Sequence, residues 1–372
     1  MRIAINSLSL SKTKVGMGKY IAEIINNAPK SDPYNIYFIY VSEENKKYFN
    51  LSQENIRPVL VHKIWTRGLM RIIWEQLLLP FSLYWNKINI YHAPGFVLPI
   101  FKVNKKTKYI VTIADMTFFS HPEYHVYWKR KYFKYMIPIS IKKADQVIAI
   151  SENTKQDILQ MIPVDKNKIV VTYLGYDAHF SRQNKLKKNP VLKKYIINFP
   201  YILFVGMLEP RKNIPSLIKA FAAIKEKKSH KLVIVGKKGW MYGEIFTLIQ
   251  KLKIEEQVIF TGYLHDEDLP SLYSAATCFV YPSFYEGFGI PIIEAMACGC
   301  AVITSNNSSM KEIAGEAAIL VDPYNVKEIQ NAIELLIADK AIKRKKEKEG
   351  ITQAKKFTWE KMILQTKEVY RG

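Results

Sequence analysis

The chain has 372 residues, of which 48% are hydrophobic and 24% are charged, so its composition excludes a disordered protein and its length predicts two domains. Lysine and arginine number 55 against 33 acidic residues, and the formal net charge of +22 favours an anionic partner such as nucleic acid, a membrane face or a phosphate-bearing molecule. The three cysteines form neither a disulfide framework nor a zinc spacing, which predicts a reducing, cytoplasmic location.

No segment has the character of a secretory signal or of a membrane span. The first residues turn polar directly after a short apolar run, so we expect no signal sequence. The most apolar stretch, residues 70–85, is interrupted by Arg71, Glu75 and Pro80 and is too short and too polar to cross a bilayer.

Short β-branched runs alternate with longer helical patterns along the whole chain. Continuous apolar strands that alternate with helices predict parallel sheets covered on both faces. The predicted strands of the first half are 2–6, 35–41, 88–92, 109–113, 146–150 and 168–173, with helical patterns at 18–27 and 124–143. The predicted strands of the second half are 201–205, 231–235, 258–261, 278–281, 301–304 and 318–321.

Residues 181–189 are polar, rich in lysine and without periodicity, as expected of a linker. We therefore predict a Rossmann-like domain over 1–180 and a second over 190–356, with a final helix over about 357–372 that packs back on the first. Doubly wound sheets bind ligands at the carboxyl ends of their strands, so the fold class is α/β, with two such domains facing each other across a cleft.

The first motif runs from Lys14 to Tyr20 and follows the first predicted strand. Its Gly16 and Gly18 occupy a strand-to-helix turn, where glycine permits a close approach of backbone to ligand. The third glycine of a dinucleotide fingerprint and its acidic partner are missing, so NAD binding is not expected. A plain turn is the competing interpretation.

Residues 71–80 mix cations with aromatic and aliphatic side chains (Arg-Ile-Ile-Trp-Glu-Gln-Leu-Leu-Leu-Pro). Three interpretations stay open for this segment: an acceptor-binding element, an interfacial helix that rests on a membrane, and a core-facing helix.

Two polar segments follow strands of the first domain and so are expected to open onto the cleft. Their candidates for the reacting centre are His92, Asp115 and His121. A lone histidine is more often a structural residue than a catalyst, and the sequence does not choose among the three.

Two adjacent cations, Arg211 and Lys212, lie in a strand-to-helix turn after strand 201–205. Arginine binds phosphate through two parallel hydrogen bonds and lysine adds a point charge, so the pair suits a phosphate-bearing anion. A pair of exposed surface charges is the competing interpretation.

The most specific motif runs from Tyr285 to Glu294 (Tyr-Glu-Gly-Phe-Gly-Ile-Pro-Ile-Ile-Glu) and leads from a strand into a helix. Its glycines permit a tight turn, and Pro291 suits the first helical turn. An anion or hydroxyl site is expected at the first amides of the helix, those of Phe288, Gly289 and Ile290. Glu286 is placed to bind sugar hydroxyls, and Glu294 to bind a ribose diol.

Asp266 and Asp268 have the D-x-D spacing of some metal sites, but they precede a helical pattern, which favours helix capping. We expect neither a metal nor another cofactor.

The segment 285–294 resembles the E-x7-E signature of the group 1 glycosyltransferases, family 4, which have the GT-B fold. The resemblance extends over nearly the whole chain. It implies a retaining transfer of a hexose from a GDP- or UDP-linked sugar to a glycan or lipid-linked acceptor, in cell-surface polysaccharide synthesis and without a metal.

The resemblance also implies that the domain over 1–180 binds the acceptor and that the domain over 190–356 binds the nucleotide-sugar donor, and it implies roles for individual residues. Gly16 and Gly18 match the family's glycine loop near the donor phosphates, and Arg211 and Lys212 match its diphosphate-binding pair. Where many relatives have histidine followed by aspartate, this chain has Ala114 and Asp115. The predicted catalytic residues are accordingly Glu286, Asp115 and Lys212.

Three alternatives remain open at this point. A nucleotide-sugar epimerase shares the fold but would act without an acceptor. A non-catalytic nucleotide-sugar-binding protein is favoured only by Ala114. A nucleic-acid-binding protein is favoured only by the net charge, and no binding motif supports it. The predicted partners are therefore the donor, the acceptor and the anionic inner face of a membrane.

Overall fold

The structure is a computed structural model that describes residues 1–10, 16–183, 189–225, 229–239 and 242–372. The chain divides into two compact units. Unit 1 comprises Met1–Leu174 and Trp359–Gly372, and unit 2 comprises Gly175–Thr358. The predicted linker lies partly outside this description, because residues 184–188 are not among the described ones.

Unit 1 contains a parallel sheet of seven strands in the order β3-β2-β1-β4-β5-β6-β7. Its strands alternate with helices along the chain, as continuous apolar strands require. The strands are β1 (Arg2–Asn6), β2 (Ile36–Ser42), β3 (Ile56–Val61), β4 (Ile90–Ala93), β5 (Lys108–Ile113), β6 (Gln146–Ala149) and β7 (Ile169–Val171).

The helices of unit 1 cover this sheet, and one of them contains a π-helical turn, Trp74–Leu78, between two α-helical pieces. The α-helices are α1 (Met17–Asn27), α2 (Gly68–Ile73), α3 (Leu79–Trp85), α4 (Thr117–Ser120), α5 (Tyr127–Lys143) and α6 (Glu152–Met161).

Unit 2 contains a parallel sheet of six strands in the order β10-β9-β8-β11-β12-β13. The strands are β8 (Tyr201–Val205), β9 (Lys231–Val235), β10 (Val258–Gly262), β11 (Cys278–Tyr281), β12 (Val302–Ser305) and β13 (Ile319–Val321). The helices are α7 (Pro190–Lys194), α8 (Ile214–Ala222), α9 (Gly243–Leu252), α10 (Leu269–Ala275), α11 (Ile290–Ala297), α12 (Ser308–Ala314), α13 (Val326–Ala338) and α14 (Lys340–Ala354).

The last helix, α15 (Trp359–Arg371), belongs to unit 1 although it follows unit 2 in the chain. Tyr370 Oη of α15 lies 2.8 Å from Nδ1 of the buried His92. Residues 175–180, which the composition had placed in the first domain, belong to unit 2. There Tyr176 forms a bridge with Thr358, and the ring of Phe180 lies 6.2 Å from that of Tyr273.

The sequence patterns missed one strand, β3. Pro58 lies inside it and cannot donate a ladder hydrogen bond, which is untypical of a strand within a sheet. Because β3 is the edge strand of the sheet, that missing donor costs little. In the part of the chain that the structure describes, no helix is both long enough and apolar enough to cross a membrane.

Candidate functional site

The strand order of unit 2 places two loops side by side. The order reverses between β8 and β11, and doubly wound sheets bind ligands at such a point, beyond the carboxyl ends of the strands. The loop after β8 contains the 3-10 turn Pro210–Lys212, and the loop after β11 leads into α11. Phe284 N donates to Arg211 O at 2.9 Å, so the two loops are bonded directly.

Arg211 and Lys212 converge on Glu286. Arg211 Nη1 donates to Glu286 Oε2 at 2.6 Å, and its Nη2 donates to Glu209 Oε1 at 2.8 Å. Lys212 Nζ donates to Glu286 Oε1 at 2.6 Å, and Tyr281 Oη lies 3.1 Å from the same oxygen. Lys212 is 7% exposed and Glu286 6%, so these ion pairs form away from bulk water.

Glu286 is ionised at neutral pH. Burial alone would raise its pKa, but the charges of Arg211 and Lys212 and their hydrogen bonds outweigh burial and lower the pKa of Glu286 to about 2. Burial also lowers the pKa of Lys212, and Glu286 opposes that change. We take Lys212 to be an ammonium, because its Nζ lies 2.6 Å from a carboxylate oxygen.

One acceptor position of Glu286 remains available. A carboxylate oxygen accepts two hydrogen bonds. Oε1 is occupied by Lys212 and Tyr281, whereas Oε2 accepts from Arg211 alone among the residues that the structure describes. The arrangement therefore leaves Oε2 able to bind one hydroxyl while both cations stay in place.

The loop between β11 and α11 is held by α12 and by a glycine. Ser309 Oγ lies 2.8 Å from Glu286 O and 2.9 Å from Phe288 O. Gly289 has a φ of 103°, and a Cβ there would lie 2.9 Å from Ile292 Cδ1. Glycine is therefore required at the residue that begins the helix.

The structure separates the roles of Phe288 and Glu294. The Phe288 ring is buried and packs edge-on against Phe357, with the centroids 5.8 Å apart, so the ring belongs to the core of unit 2. The amide groups of the first residues of a helix have no acceptor within that helix. In α11 the first such amide is that of Ile290. Glu294 is 4% exposed, and Tyr273 Oη lies 3.4 Å from its Oε2.

Sequence reasoning assigned no role to Glu209, Asn213 and Tyr281, although all three shape this site. Asn213 adopts a left-handed conformation with φ 54°, and its Nδ2 donates to Pro282 O at 3.0 Å and to Pro323 O at 2.7 Å. Asparagine tolerates this conformation better than most residues. An asparagine directly after the two cations could therefore have indicated a left-handed turn at this position.

In unit 1, Gly16 caps the start of α1 with φ 54° and ψ −121°, and Gly18 is buried inside that helix. A Cβ on Gly16 would meet no atom within 4 Å, so its backbone angles and not crowding favour glycine there. Lys14 and Val15 of the same motif lie outside the described residues.

Asp115 is engaged in a local network. Its Oδ1 accepts from Thr117 N at 2.9 Å and from Thr117 Oγ1. His125, which sequence reasoning did not single out, places Nε2 2.8 Å from Thr117 Oγ1 and stacks on Phe118 at a centroid distance of 3.9 Å. Asp115 thus accepts hydrogen bonds from Thr117, the first residue of α4, and connects through it to a histidine.

His92 is not at a reacting centre, contrary to one of the expectations from the sequence. It is fully buried, with Nδ1 2.8 Å from Tyr370 Oη and Nε2 2.8 Å from Thr112 Oγ1. Burial lowers the pKa of His92 to about 3, so the ring is neutral. His121 is partly exposed and places Nδ1 2.9 Å from Ser120 Oγ. Within the described part of the chain, no group of His, Cys, Asp and Glu side chains could hold a metal ion.

Two family models match the chain, one on each half. The model described as Glycosyltransferase Family 4 matches residues 15–180, and the one described as Glycosyl transferases group 1 matches residues 190–357.

Several relatives are named as mannosyltransferases. The chain is 34% identical over 288 residues to O-antigen chain mannosyltransferase B of Escherichia coli. The aligned region covers 77% of this chain and 74% of that protein. It is also 32% identical over 223 residues to O-antigen chain mannosyltransferase RfbU of Salmonella typhimurium. The aligned region covers 60% of this chain and 59% of that protein.

Solved structures share the fold along the whole chain. Sucrose-phosphate synthase from Thermosynechococcus elongatus has a TM-score of 0.80 at 21% identity and covers 100% of this chain and 98% of its own. HepE from Anabaena, in complex with UDP and glucose, has a TM-score of 0.77 at 18% identity. The match covers 100% of this chain and 99% of the HepE chain. Both confirm an α/β fold of the GT-B type.

None of these matches is an epimerase or a nucleic-acid-binding protein. The paired family models and the identity to the E. coli protein over most of both chains agree with the signature found in the sequence. The chain belongs to the group 1 glycosyltransferases of family 4 and is a glycosyltransferase.

Proposed function

We propose that the chain is a retaining mannosyltransferase that uses a GDP- or UDP-linked sugar and extends a glycan or lipid-linked acceptor in cell-surface polysaccharide synthesis. The observation that carries this proposal is the convergence of Arg211, Lys212 and Glu286 where the strand order of unit 2 reverses. The names of the two O-antigen mannosyltransferases support the sugar and the pathway class. The UDP bound to HepE supports a nucleoside diphosphate.

In this proposal Arg211 and Lys212 bind the donor diphosphate, and Glu294 binds the ribose hydroxyls. Glu286 keeps both cations aligned through its two oxygens, and the free acceptor position on Oε2 takes one hydroxyl of the transferred sugar. The amides of Gly289 and Ile290 add donors at the helix start, where an anion is favoured.

The transfer replaces one bond to the anomeric carbon with another on the same face of the sugar. The bond to the phosphate oxygen breaks, and the leaving nucleoside diphosphate keeps the electron pair. The acceptor oxygen forms the new bond, and its proton passes to a phosphate oxygen. Fixed cations stabilise the charge that develops on the leaving group, so we propose that no metal or other cofactor is needed.

We also retain Gly16, Gly18 and Asp115 as residues of unit 1 that act in the reaction. The glycines support this because Gly16 has backbone angles that few other residues adopt. The network from Asp115 through Thr117 to His125 supports a polar role near residue 114, where the resemblance implies a histidine and this chain has Ala114.

Arg211 and Glu294 should both contribute to the affinity for the donor. Replacing Arg211 or Glu294 with alanine removes a charged hydrogen-bonding group, so the affinity for the preferred nucleoside diphosphate should fall about ten- to a hundredfold. Calorimetric titration with GDP, UDP and ADP measures it and also identifies the base. Lys219→Ala is the matched control, because Lys219 lies exposed on the neighbouring helix α8.

Unchanged affinity in both Arg211→Ala and Glu294→Ala would contradict the proposed donor site. Transfer is tested separately by mass spectrometry of glycoside products after incubation with GDP-mannose or UDP-sugars. Nucleotide release that does not depend on an added glycan would argue against a transferase with a glycan acceptor.

We further propose that the protein works in the cytoplasm, against the anionic inner face of a membrane. The start of α5 supports this, because Trp128 is 76% exposed and is followed by Lys129, Arg130 and Lys131. Binding to vesicles that contain anionic lipid, measured by co-sedimentation, should be strong at low salt and weaker in Trp128→Ala. Equal binding to neutral vesicles would contradict an electrostatic association.

A further inference from the structure

Unit 2 contains a groove of about 570 Å³ at the end of its sheet that lies opposite the proposed donor site. Thr277 directly precedes β11, His230 directly precedes β9, and both line the groove. The groove therefore lies at the amino ends of these strands, whereas the proposed donor site lies beyond the carboxyl ends. Its volume falls within the range of small-molecule sites, roughly 300–1,000 Å³.

The wall of the groove is strongly basic. All but one of its charged lysine, arginine and glutamate side chains come from one face of α14, because residues three or four positions apart lie on the same side of a helix. The cations are Arg182, Lys340, Lys343, Arg344 and Lys348, and the carboxylate is Glu347. On another side of α14, Lys345 and Lys346 pair with Glu349 instead.

Glu347 orients two of these cations. It is 4% exposed and accepts from Arg182 Nη2 at 3.3 Å and from Lys343 Nζ. The stem of Arg182 passes close to Gly299, where a Cβ would lie 3.2 Å from Arg182 Cδ. A buried glutamate likewise holds an arginine and a lysine at Glu286. Such an arrangement fixes the direction of both cations before an anion arrives, so less side-chain freedom is lost on binding.

The other three cations are not compensated. Lys340, Arg344 and Lys348 are exposed, and none of the residues that the structure describes forms an ion pair with them. They follow one another at intervals of four residues, and like charges at this spacing destabilise a helix. An anion that binds between them removes this repulsion, so the groove gains most from a ligand with several negative charges.

The geometry of these cations favours phosphate groups. A guanidinium such as that of Arg344 binds a phosphate through two parallel hydrogen bonds. A phosphate monoester carries a charge of about −1.5 to −2 at neutral pH, more than a carboxylate does. The three cations extend over about 12 Å along α14, at about 1.5 Å per residue, which exceeds the reach of one phosphate. The apolar side chains of Leu336 and Ile337 also line the groove and can contact the carbon atoms of such a ligand.

We propose that this groove binds a phosphate-bearing anion with at least two charged groups. The side chains that hold it are Arg182, Lys340, Lys343, Arg344 and Lys348. The site is separate from the proposed donor site and does not depend on the proposed transferase function. Its phosphates belong either to a soluble molecule or to lipid headgroups, which share this chemistry.

The test uses inorganic pyrophosphate, titrated calorimetrically into the full-length protein at physiological ionic strength. Pyrophosphate also fits the proposed donor site, so the titration is repeated with Arg211→Ala, in which binding to the groove should persist. Adding Lys340→Gln, Arg344→Gln and Lys348→Gln to that protein should weaken the remaining binding at least about a hundredfold, because three charged contacts are lost. These side chains are exposed, so the variant should keep its fold.

The matched control replaces Lys219, Lys251 and Lys345 with glutamine. This control removes the same charge from exposed residues of unit 2 that do not line the groove. Pyrophosphate affinity should change less than about twofold in it, because charges more than about 8 Å away are screened at this ionic strength. An equal loss of affinity in the control and the groove variant, or no loss in the groove variant, counts against a specific site.

Vesicles of phosphatidylcholine with and without phosphatidylglycerol distinguish the two sources of phosphate. Co-sedimentation that is lost in the groove variant but not in the control assigns a lipid headgroup, and groove-dependent binding of pyrophosphate without it assigns a soluble ligand. The proposal is wrong if neither ligand requires the three cations. Nucleotide affinity should be normal in the groove variant, and its loss would contradict two separate sites.

Discussion

At the scale of single residues, Glu286 determines the state of the candidate donor site. The charges of Arg211 and Lys212 are balanced by Glu286 and Glu209, so the cluster is formally neutral before a donor arrives. A buried ion pair contributes little net stability, but removing one partner leaves an uncompensated buried charge and is costly. The cluster is therefore better understood as a device that keeps two cations oriented than as a source of stability.

Glu286 predicts a defined pH dependence of folding. Its pKa is lowered from 4.5 to about 2 in the folded chain. Each pKa unit corresponds to about 1.4 kcal/mol, so the free energy of unfolding should be about 3 kcal/mol higher above pH 4.5, with Glu286 ionised, than below pH 2, with Glu286 protonated. This contribution is lost as the pH falls from about 4.5 towards 2, because the unfolded chain then binds the proton more readily.

Urea unfolding at a series of pH values measures this contribution. The acid dependence of the unfolding free energy should be shallower in Glu286→Gln than in the unaltered chain, whereas Glu256→Gln, at an exposed carboxylate of unit 2, should leave it unchanged. Identical slopes in all three proteins would show that Glu286 is not ion-paired in solution.

At the scale of elements, glycines terminate three neighbouring strands of unit 2. Gly206 N donates to Val235 O, and Gly236 N donates to Gly262 O, both at 2.9 Å. A Cβ on Gly236 would lie 1.8 Å from Gly206 O. The carboxyl ends of β8, β9 and β10 approach this closely only because side chains are absent, and the loop that carries the two cations begins there.

Gly236→Ala should therefore lower the free energy of unfolding by at least about 3 kcal/mol, because a backbone oxygen cannot move aside as a flexible side chain can. Gly243→Ala, at the first residue of α9, introduces a Cβ with no atom within 4 Å and should be neutral or stabilising by up to about 1 kcal/mol. Thermal unfolding followed by circular dichroism compares them. A Gly236→Ala protein as stable as Gly243→Ala would refute the close approach of the strands.

At the scale of the whole molecule, the chain leaves unit 1, forms unit 2 and returns as α15. This helix buries Trp359, Met362 and Ile363, and Tyr370 adds the contact to His92. The two units also carry different natural probes. Five of the six tryptophans lie in unit 1, whereas all three cysteines are buried in unit 2.

Tyr370→Phe removes the partner of a fully buried ring nitrogen and should destabilise unit 1 by about 1–3 kcal/mol. The urea midpoint followed by tryptophan fluorescence should fall, while the midpoint for labelling of the three thiols stays constant. Tyr34→Phe, at a residue that is 93% exposed in the same unit, should change neither midpoint. Equal shifts of both midpoints would mean that the units unfold as a single cooperative body.

The sequence alone predicted every described strand except β3, together with the candidate donor motifs. Strands 201–205, 231–235 and 278–281 were predicted with their observed bounds, because continuous apolar runs between turn residues report burial directly. The strand β3 was missed, since only the sheet order shows that Pro58 lies on an edge. The glycine turns and the cation pair could also be predicted, because each motif consists of residues that are adjacent or nearly adjacent in the sequence.

Only the tertiary structure decided how these residues combine. Arg211 and Glu286 are 75 positions apart, and Asn6 and Glu75 are 69 apart, yet each pair is hydrogen-bonded. It also placed His92 in the core rather than at a reacting centre. Periodicity describes which face of one element is buried, whereas contacts between distant residues depend on the order in which the crossovers arrange the strands. That order made a neutral ion-pair cluster of two predicted phosphate-binding cations and brought Glu75 to Asn6.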